Sequence, residues 1–128
     1  MTPETTRRLR DVCATCSEIE AFTAGVDEQA FLASQQVHLS VHKLLEIVAE
    51  ALNAAYRSNN ALVNTIPDFR NFINLRNQIT HRYFDVNYGI VWRVAVQEVP
   101  RLRTFIEELL QAEAEISPEN VDPAGGDT

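Results

Sequence analysis

A chain of 128 residues suits one domain, and a hydrophobic share of 45% is enough to build a core. Only 4 Gly and 5 Pro are present, several of them in the last dozen residues, so the body favours long helices over many short strands. No stretch approaches about 18 uninterrupted apolar residues, no apolar run follows the opening Arg pair, and there are two cysteines; this excludes a helical membrane span and argues for a reduced, cytoplasmic protein without a secretory signal.

Thr2 is placed to cap a first helix, with Pro3 at its first position. Leu9, Val12, Cys13, Cys16, Ile19 and Phe22 recur along it at helical spacing, and Gly25 is its stop. Asp27 caps a short turn that carries Phe31 and Leu32. Ser34 is the cap of a second long helix, whose stripe runs through Val37, Val41, Leu44, Leu45, Val48, Ala51, Leu52 and Ala55. Leu39 and Ile47 widen that stripe, which predicts a second buried contact. The Ser58-Asn59-Asn60 cluster ends the helix. Pro67 and Asp68 open a third helix, with Phe69, Phe72, Ile73 and Ile79 on its apolar side. Asp85 or Asn87 caps a fourth, which carries Ile90, Val91, Val94, Leu102, Phe105, Ile106 and Leu109. Pro100 lies inside that helix and, lacking an N–H, should kink it. Residues 1–116 therefore read as an all-α domain, an up-and-down four-helix bundle. Residues 117–128, acidic and rich in Pro and Gly, read as a disordered tail.

The net charge of −7 speaks against nucleic acid at face value, but its distribution does not. Between Ile66 and Thr104 six Arg (70, 76, 82, 93, 101, 103) face three acids, a local balance of +3, while the remainder holds five basic and fifteen acidic residues. A basic face on an acidic protein can still bind a phosphate chain, with Arg70 and Arg82 as candidate contacts to an RNA backbone.

Three constellations could carry chemistry. Cys13 and Cys16 form a single C-x-x-C within a helical stripe, too few ligands for zinc, and read as core. His38 and His42 lie one helical turn apart, but no third ligand is evident, so neither a metal nor a cofactor is expected. The third is Arg76-Asn77-Gln78-Ile79-Thr80-His81-Arg82-Tyr83. With ten Arg and three His in the chain, an Arg-x4-His spacing is expected by chance roughly 0.2 times, so the bare spacing is weak evidence. On an ideal helix Arg76 and His81 stand roughly 140° apart, so they converge only if the helix ends or bends near His81, or if a second copy brings them together. Asn77 is four residues before His81 and can orient the imidazole. Tyr83 falls on nearly the same face as Arg76.

These residue types suit metal-free RNA cleavage. An imidazole that titrates near neutrality can take the proton of the attacking 2′-OH or give one to the departing 5′-oxygen. A guanidinium matches the charge that develops on the phosphorus oxygens. A two-fold homodimer would bring two His and two Arg to one cleft.

The segment Arg76-Asn77-x3-His81-x-Tyr83-Phe84, with Val86 and Ile90-Val91-Trp92 beyond it, resembles the HepT family of HEPN toxins. Leu45-Glu46-Ile47-Val48-Ala49-Glu50-Ala51 is similar to the family's second-helix signature, with Ala49 where a Gly is usual; Asn74 likewise replaces a Gly. Pro100-Arg101-Leu102 resembles its kinked last helix. The resemblance covers about residues 7 to 110. It implies a dimeric four-helix bundle and a metal-independent endoribonuclease with Arg76 and His81 lining a shared cleft. It also implies tRNA as a candidate substrate and a type VII-like toxin–antitoxin system. The implied partner is an MntA-type nucleotidyltransferase antitoxin, which silences the toxin by transferring AMP to the motif tyrosine, here Tyr83. The runner-up reading is a non-catalytic HEPN subunit that binds a nucleotide or the nucleotidyltransferase. A third is a structural dimer in which Arg76 and His81 pair with carboxylates.

Overall fold

The computed structural model describes residues 1–75 and 86–116. Within them the elements are α1 (Pro3–Thr23), α2 (Glu28–Ala33), α3 (Gln35–Ser58), α4 (Asn60–Val63), α5 (Phe69–Ile73), α6 (Tyr88–Arg93), a π-helical turn (Val94–Glu98) and α7 (Val99–Ile116). The last three run on without interruption. No strand occurs among the described residues, so the all-α expectation holds. The tail at 117–128 lies outside them.

The helix starts follow from short polar side chains that satisfy otherwise orphaned N–H groups. Thr2 accepts from the Thr5 N–H at 3.2 Å, Asp27 from Ala30 at 2.8 Å, Ser34 from Val37 at 3.3 Å and Asn87 from Ile90 at 3.1 Å. Asn59, at the end of α3, caps α4 by accepting from Leu62 at 3.1 Å. Gly25, with φ of 72°, takes the left-handed turn after α1 that a residue with a Cβ resists. Asp68 stands directly before α5, as the opening residue should. It makes no capping hydrogen bond to α5 and is itself left-handed, at φ 60° and ψ 22°. In that conformation its side chain does not take the acceptor position of a normal cap.

The centre of the core is α3, where Val41, Leu45, Val48, Leu52 and Ala55 are completely buried. Leu9, Val12, Cys16 and Ile19 of α1 pack on one side of the core, and Val99, Leu102 and Ile106 of α7 extend it. Polar ties fix the direction of α1. Near its start, Thr5 hydrogen-bonds Ser58 at the end of α3, and the Met1 amino group meets Glu113 near the end of α7 at 3.3 Å. Near its other end, Glu20 holds Arg103, close to the start of α7. Both neighbours are therefore antiparallel to α1. α6 lies against α2 and α3, and α5 lies against α3.

Two expectations change in the packed chain. Leu39 and Ile47 do not make a second buried contact within it; they are 46% and 38% exposed. The disturbance at Pro100 takes the form of the π turn just before it, in which the Val99 N–H reaches back five residues to the Val94 carbonyl. Widening one turn in this way eases the crowding of the proline ring against the carbonyl four residues earlier.

Leu45 sits at the centre of this packing. Leu45→Ala is expected to lower the unfolding free energy by about 2–5 kcal/mol. Urea unfolding followed by circular dichroism checks this, and a loss below about 1 kcal/mol would place the core elsewhere.

Candidate functional site

Arg76, Asn77, His81, Arg82 and Tyr83 lie outside the described residues; the frame on both sides of them is within. Leu75, 3% exposed, is anchored in the core immediately before Arg76. On the far side Val86 packs against the core, and Asn87 caps α6. A Cβ at Gly89 would come within 3.3 Å of that capping Asn87 oxygen, so the small residue keeps the start of α6 uncrowded.

Arg70 is exposed on α5, and its guanidinium lies over two aromatic rings, 4.9 Å from the centre of Phe69 and 5.6 Å from that of Tyr56. Those rings are themselves stacked, with centroids 5.3 Å apart and planes at 23°. A cation held over aromatic faces keeps its N–H edge available for an anion. Arg70 therefore has the setting of a phosphate contact. The basic face as a whole is narrower than the sequence suggests. Arg103 is claimed by Glu20 and Glu107, which raise its pKa through hydrogen bonds, and Arg101 pairs with Glu98 at 2.8 Å. Glu20 is 83 residues from Arg103 in sequence, so a local count of charges could not find that pairing. Of the four described arginines of this face, Arg70 and Arg93 remain without a carboxylate in ion-pair range.

The two described histidines are drawn into packing, with a partner the sequence does not advertise. Tyr88 at the start of α6 stacks on His38, with centroids 4.1 Å apart, and meets His42 edge-on at 6.0 Å. Burial raises the pKa of the Tyr88 hydroxyl. His38 Nδ1 donates to the Phe31 carbonyl at 3.2 Å, and Phe31 in turn packs on Trp92 at 5.0 Å. His42 Nε2 is buried; the Glu46 carboxylate is 3.5 Å away but is not aligned for a hydrogen bond. The row of rings thus joins α2, α3 and α6. Among the described residues no group of three or more His, Cys, Asp or Glu gathers as a metal site, and no helix is long and apolar enough to cross a membrane.

Cys16 is completely buried and Cys13 half-buried; both are free thiols. Burial pushes the Cys13 thiol up to about 11 and the Cys16 thiol to about 12. Neither is a nucleophile at neutral pH, as their place in the apolar stripe of α1 suggested.

The fold defines a class, that of small all-α bundles. The family model described as Ribonuclease HepT-like matches residues 12–109. The chain therefore belongs to the HepT-like ribonuclease family. It is 28% identical over 101 residues to the protein named "Probable ribonuclease HepT" of Thermococcus cleftensis, covering 79% of this chain and 91% of that one. Two Methanocaldococcus jannaschii proteins provisionally named as RNases are 24% identical over 99 residues and 26% identical over 103. These alignments span 77% and 80% of this chain, and 90% and 88% of theirs. No solved structure matches.

The raised thiol pKa values generate a test. At pH 8 the folded protein should react with an aromatic disulfide reagent far more slowly than free cysteine, because both thiolate populations are depressed. Urea should release two equivalents at once, and rapid reaction of Cys16 in the native state would contradict its burial.

Proposed function

We propose that this chain is the RNA-cleaving toxin of a toxin–antitoxin pair, acting in the cytoplasm, with Arg76 and His81 as its catalytic residues. The observation that carries the reading is that the span shared with HepT-like ribonucleases, residues 12–109, contains the Arg76-Asn77-x3-His81-x-Tyr83 segment. His81 takes the proton of a 2′-OH as that oxygen attacks the neighbouring phosphorus. The bond from phosphorus to the 5′-oxygen breaks as the leaving oxygen is protonated. The products are a 2′,3′-cyclic phosphate and a 5′-hydroxyl. Arg76 stabilises the charge that builds on the phosphorane, and Asn77 orients His81. One imidazole performs one transfer at a time, so a homodimer with two motifs facing a shared cleft supplies both groups. Arg70 and Arg82 hold the RNA backbone on either side, and tRNA is the first substrate to test.

Regulation falls to Tyr83. An MntA-like nucleotidyltransferase would activate its hydroxyl to attack the α-phosphorus of ATP, releasing pyrophosphate and leaving a tyrosyl phosphodiester of charge −1. That phosphate competes for the arginines that bind RNA, and the adenosine fills space a nucleotide needs.

Arg76→Ala and His81→Ala should each reduce cleavage of total tRNA by roughly 10²–10³ while leaving the helical circular dichroism unchanged. Cleavage by the parent protein should persist in EDTA, and it should sediment as a dimer. Full activity in either variant sinks the mechanism.

Incubation with the cognate nucleotidyltransferase and ATP should raise the mass by units of AMP and stop cleavage. Tyr83→Phe should escape both effects and remain toxic on expression. If Tyr83→Phe is still modified and silenced, the regulatory hydroxyl is elsewhere.

A further inference from the structure

Just before Arg76 in the chain, Leu75 lines a cleft between α5 and the π turn. Its volume is about 220 Å³, below the roughly 300–1,000 Å³ of pockets that take whole drug-sized ligands. That size suits one heterocyclic base better than an entire nucleotide. One wall comes from a single face of the segment starting at Asp68, with Asp68 and Asn71 at the rim and Phe72 and Leu75 beneath. The opposite wall carries Arg93 and Glu98. On a regular α-helix two residues five apart stand roughly 140° from each other. The π turn between them, bonded five residues back, turns both to the same cleft.

Apart from Glu98, the polar groups of this cleft are not consumed by the fold. The Asp68 carboxylate caps nothing, although its residue is held left-handed, a conformation that costs energy and persists only where something else compensates. Among the described residues the Asn71 amide has no side-chain hydrogen bond and Arg93 has no carboxylate in range. Glu98 is already neutralised by Arg101 at 2.8 Å, which leaves Arg93 as the uncompensated cation at the mouth. An apolar floor, a carboxylate and an amide at the edge, and a free guanidinium outside match the parts of a nucleotide. The ring face meets Phe72 and Leu75. The donor–acceptor edge meets Asp68 and Asn71, and the phosphate meets Arg93.

We infer that this cleft is a base-reading subsite, which holds the nucleobase adjoining the scissile phosphate and so selects where the RNA is cut. The sequence ties it to the chemistry: Leu75, which lines the cleft, is the residue immediately before Arg76. An Asp carboxylate accepts from an exocyclic amine, so adenine, cytosine and guanine fit the edge better than uracil, which carries no amine. The inference deepens the ribonuclease reading and rests on it for the word scissile, but the binding of a base does not.

The test separates the two. The four nucleoside 5′-monophosphates are titrated into the full-length protein and followed by the side-chain amide resonances. In parallel, short RNAs that vary one base beside the cut are cleaved by the parent protein, Asn71→Ala and Arg93→Ala. The amine-bearing monophosphates should shift the Asn71 amide. Each substitution should weaken their binding roughly tenfold, and Asn71→Ala should flatten the base preference while cleavage persists. Binding of the monophosphates at Asn71 without cleavage of any RNA would uphold the subsite and remove the ribonuclease reading. No shift of Asn71 with any monophosphate, or an unchanged base preference in a folded, active Asn71→Ala, would overturn the subsite.

Discussion

Pro100 has no N–H to give, and its ring presses on the carbonyl of Val96 in any regular helix. The chain meets this deficit without breaking the helix, by letting Val99 bond back to Val94 and so widening the turn between. Much follows from that choice. Because the helix is interrupted in phase but continues in length, α7 can lie along α1 while α6 lies against α2 and α3. The same phase shift turns Arg93 and Glu98 to one side, where α5 supplies the facing wall. A straight helix would serve the packing of α1 and present different residues to the segment around Leu75.

Charge follows a similar division of labour. The molecule is acidic overall, and several of its carboxylates are spent on arginines: Glu20 joins α1 to Arg103 of α7, while Glu107 on Arg103, Glu98 on Arg101 and Glu4 on Arg7 and Arg8 pair within one helical run. Exposed pairs of this kind contribute little to stability, about 0–1 kcal/mol each. Their effect on the field is larger, since they neutralise Arg101 and Arg103 within the basic stretch and leave Arg70 and Arg93 there as local positive points. An anionic chain meets attraction there and repulsion over most of the remaining surface.

The helices were legible because their signals are local. Thr2, Asp27, Ser34 and Asn87 cap as their identities suggest, and the spacing of Leu45, Val48 and Leu52 marks the face that becomes the core. Cys13 and Cys16 likewise behave as the apolar stripe around them implies. Asp68 does open its helix, but its left-handed backbone and missing cap bond are visible only in the structure. The stacking of Tyr88 on His38 and the capture of Arg103 by Glu20 were hidden, since each joins residues far apart in sequence through packing alone. The motif residues lie outside the described structure, and the cleft lined by Leu75 depends on a change of helical phase that no residue pattern encodes directly.

The left-handed aspartate sets two demands against each other at one position. A glycine at 68 would adopt φ near 60° with less steric conflict, and relief of this kind is worth about 1 kcal/mol or more. Adaptation to heat alone would thus favour removing the side chain. A requirement to discriminate among bases would favour keeping it. Relatives living at different temperatures under the same need for RNA choice should then retain an acid or amide at this turn and gain their heat tolerance elsewhere, in the core or the caps.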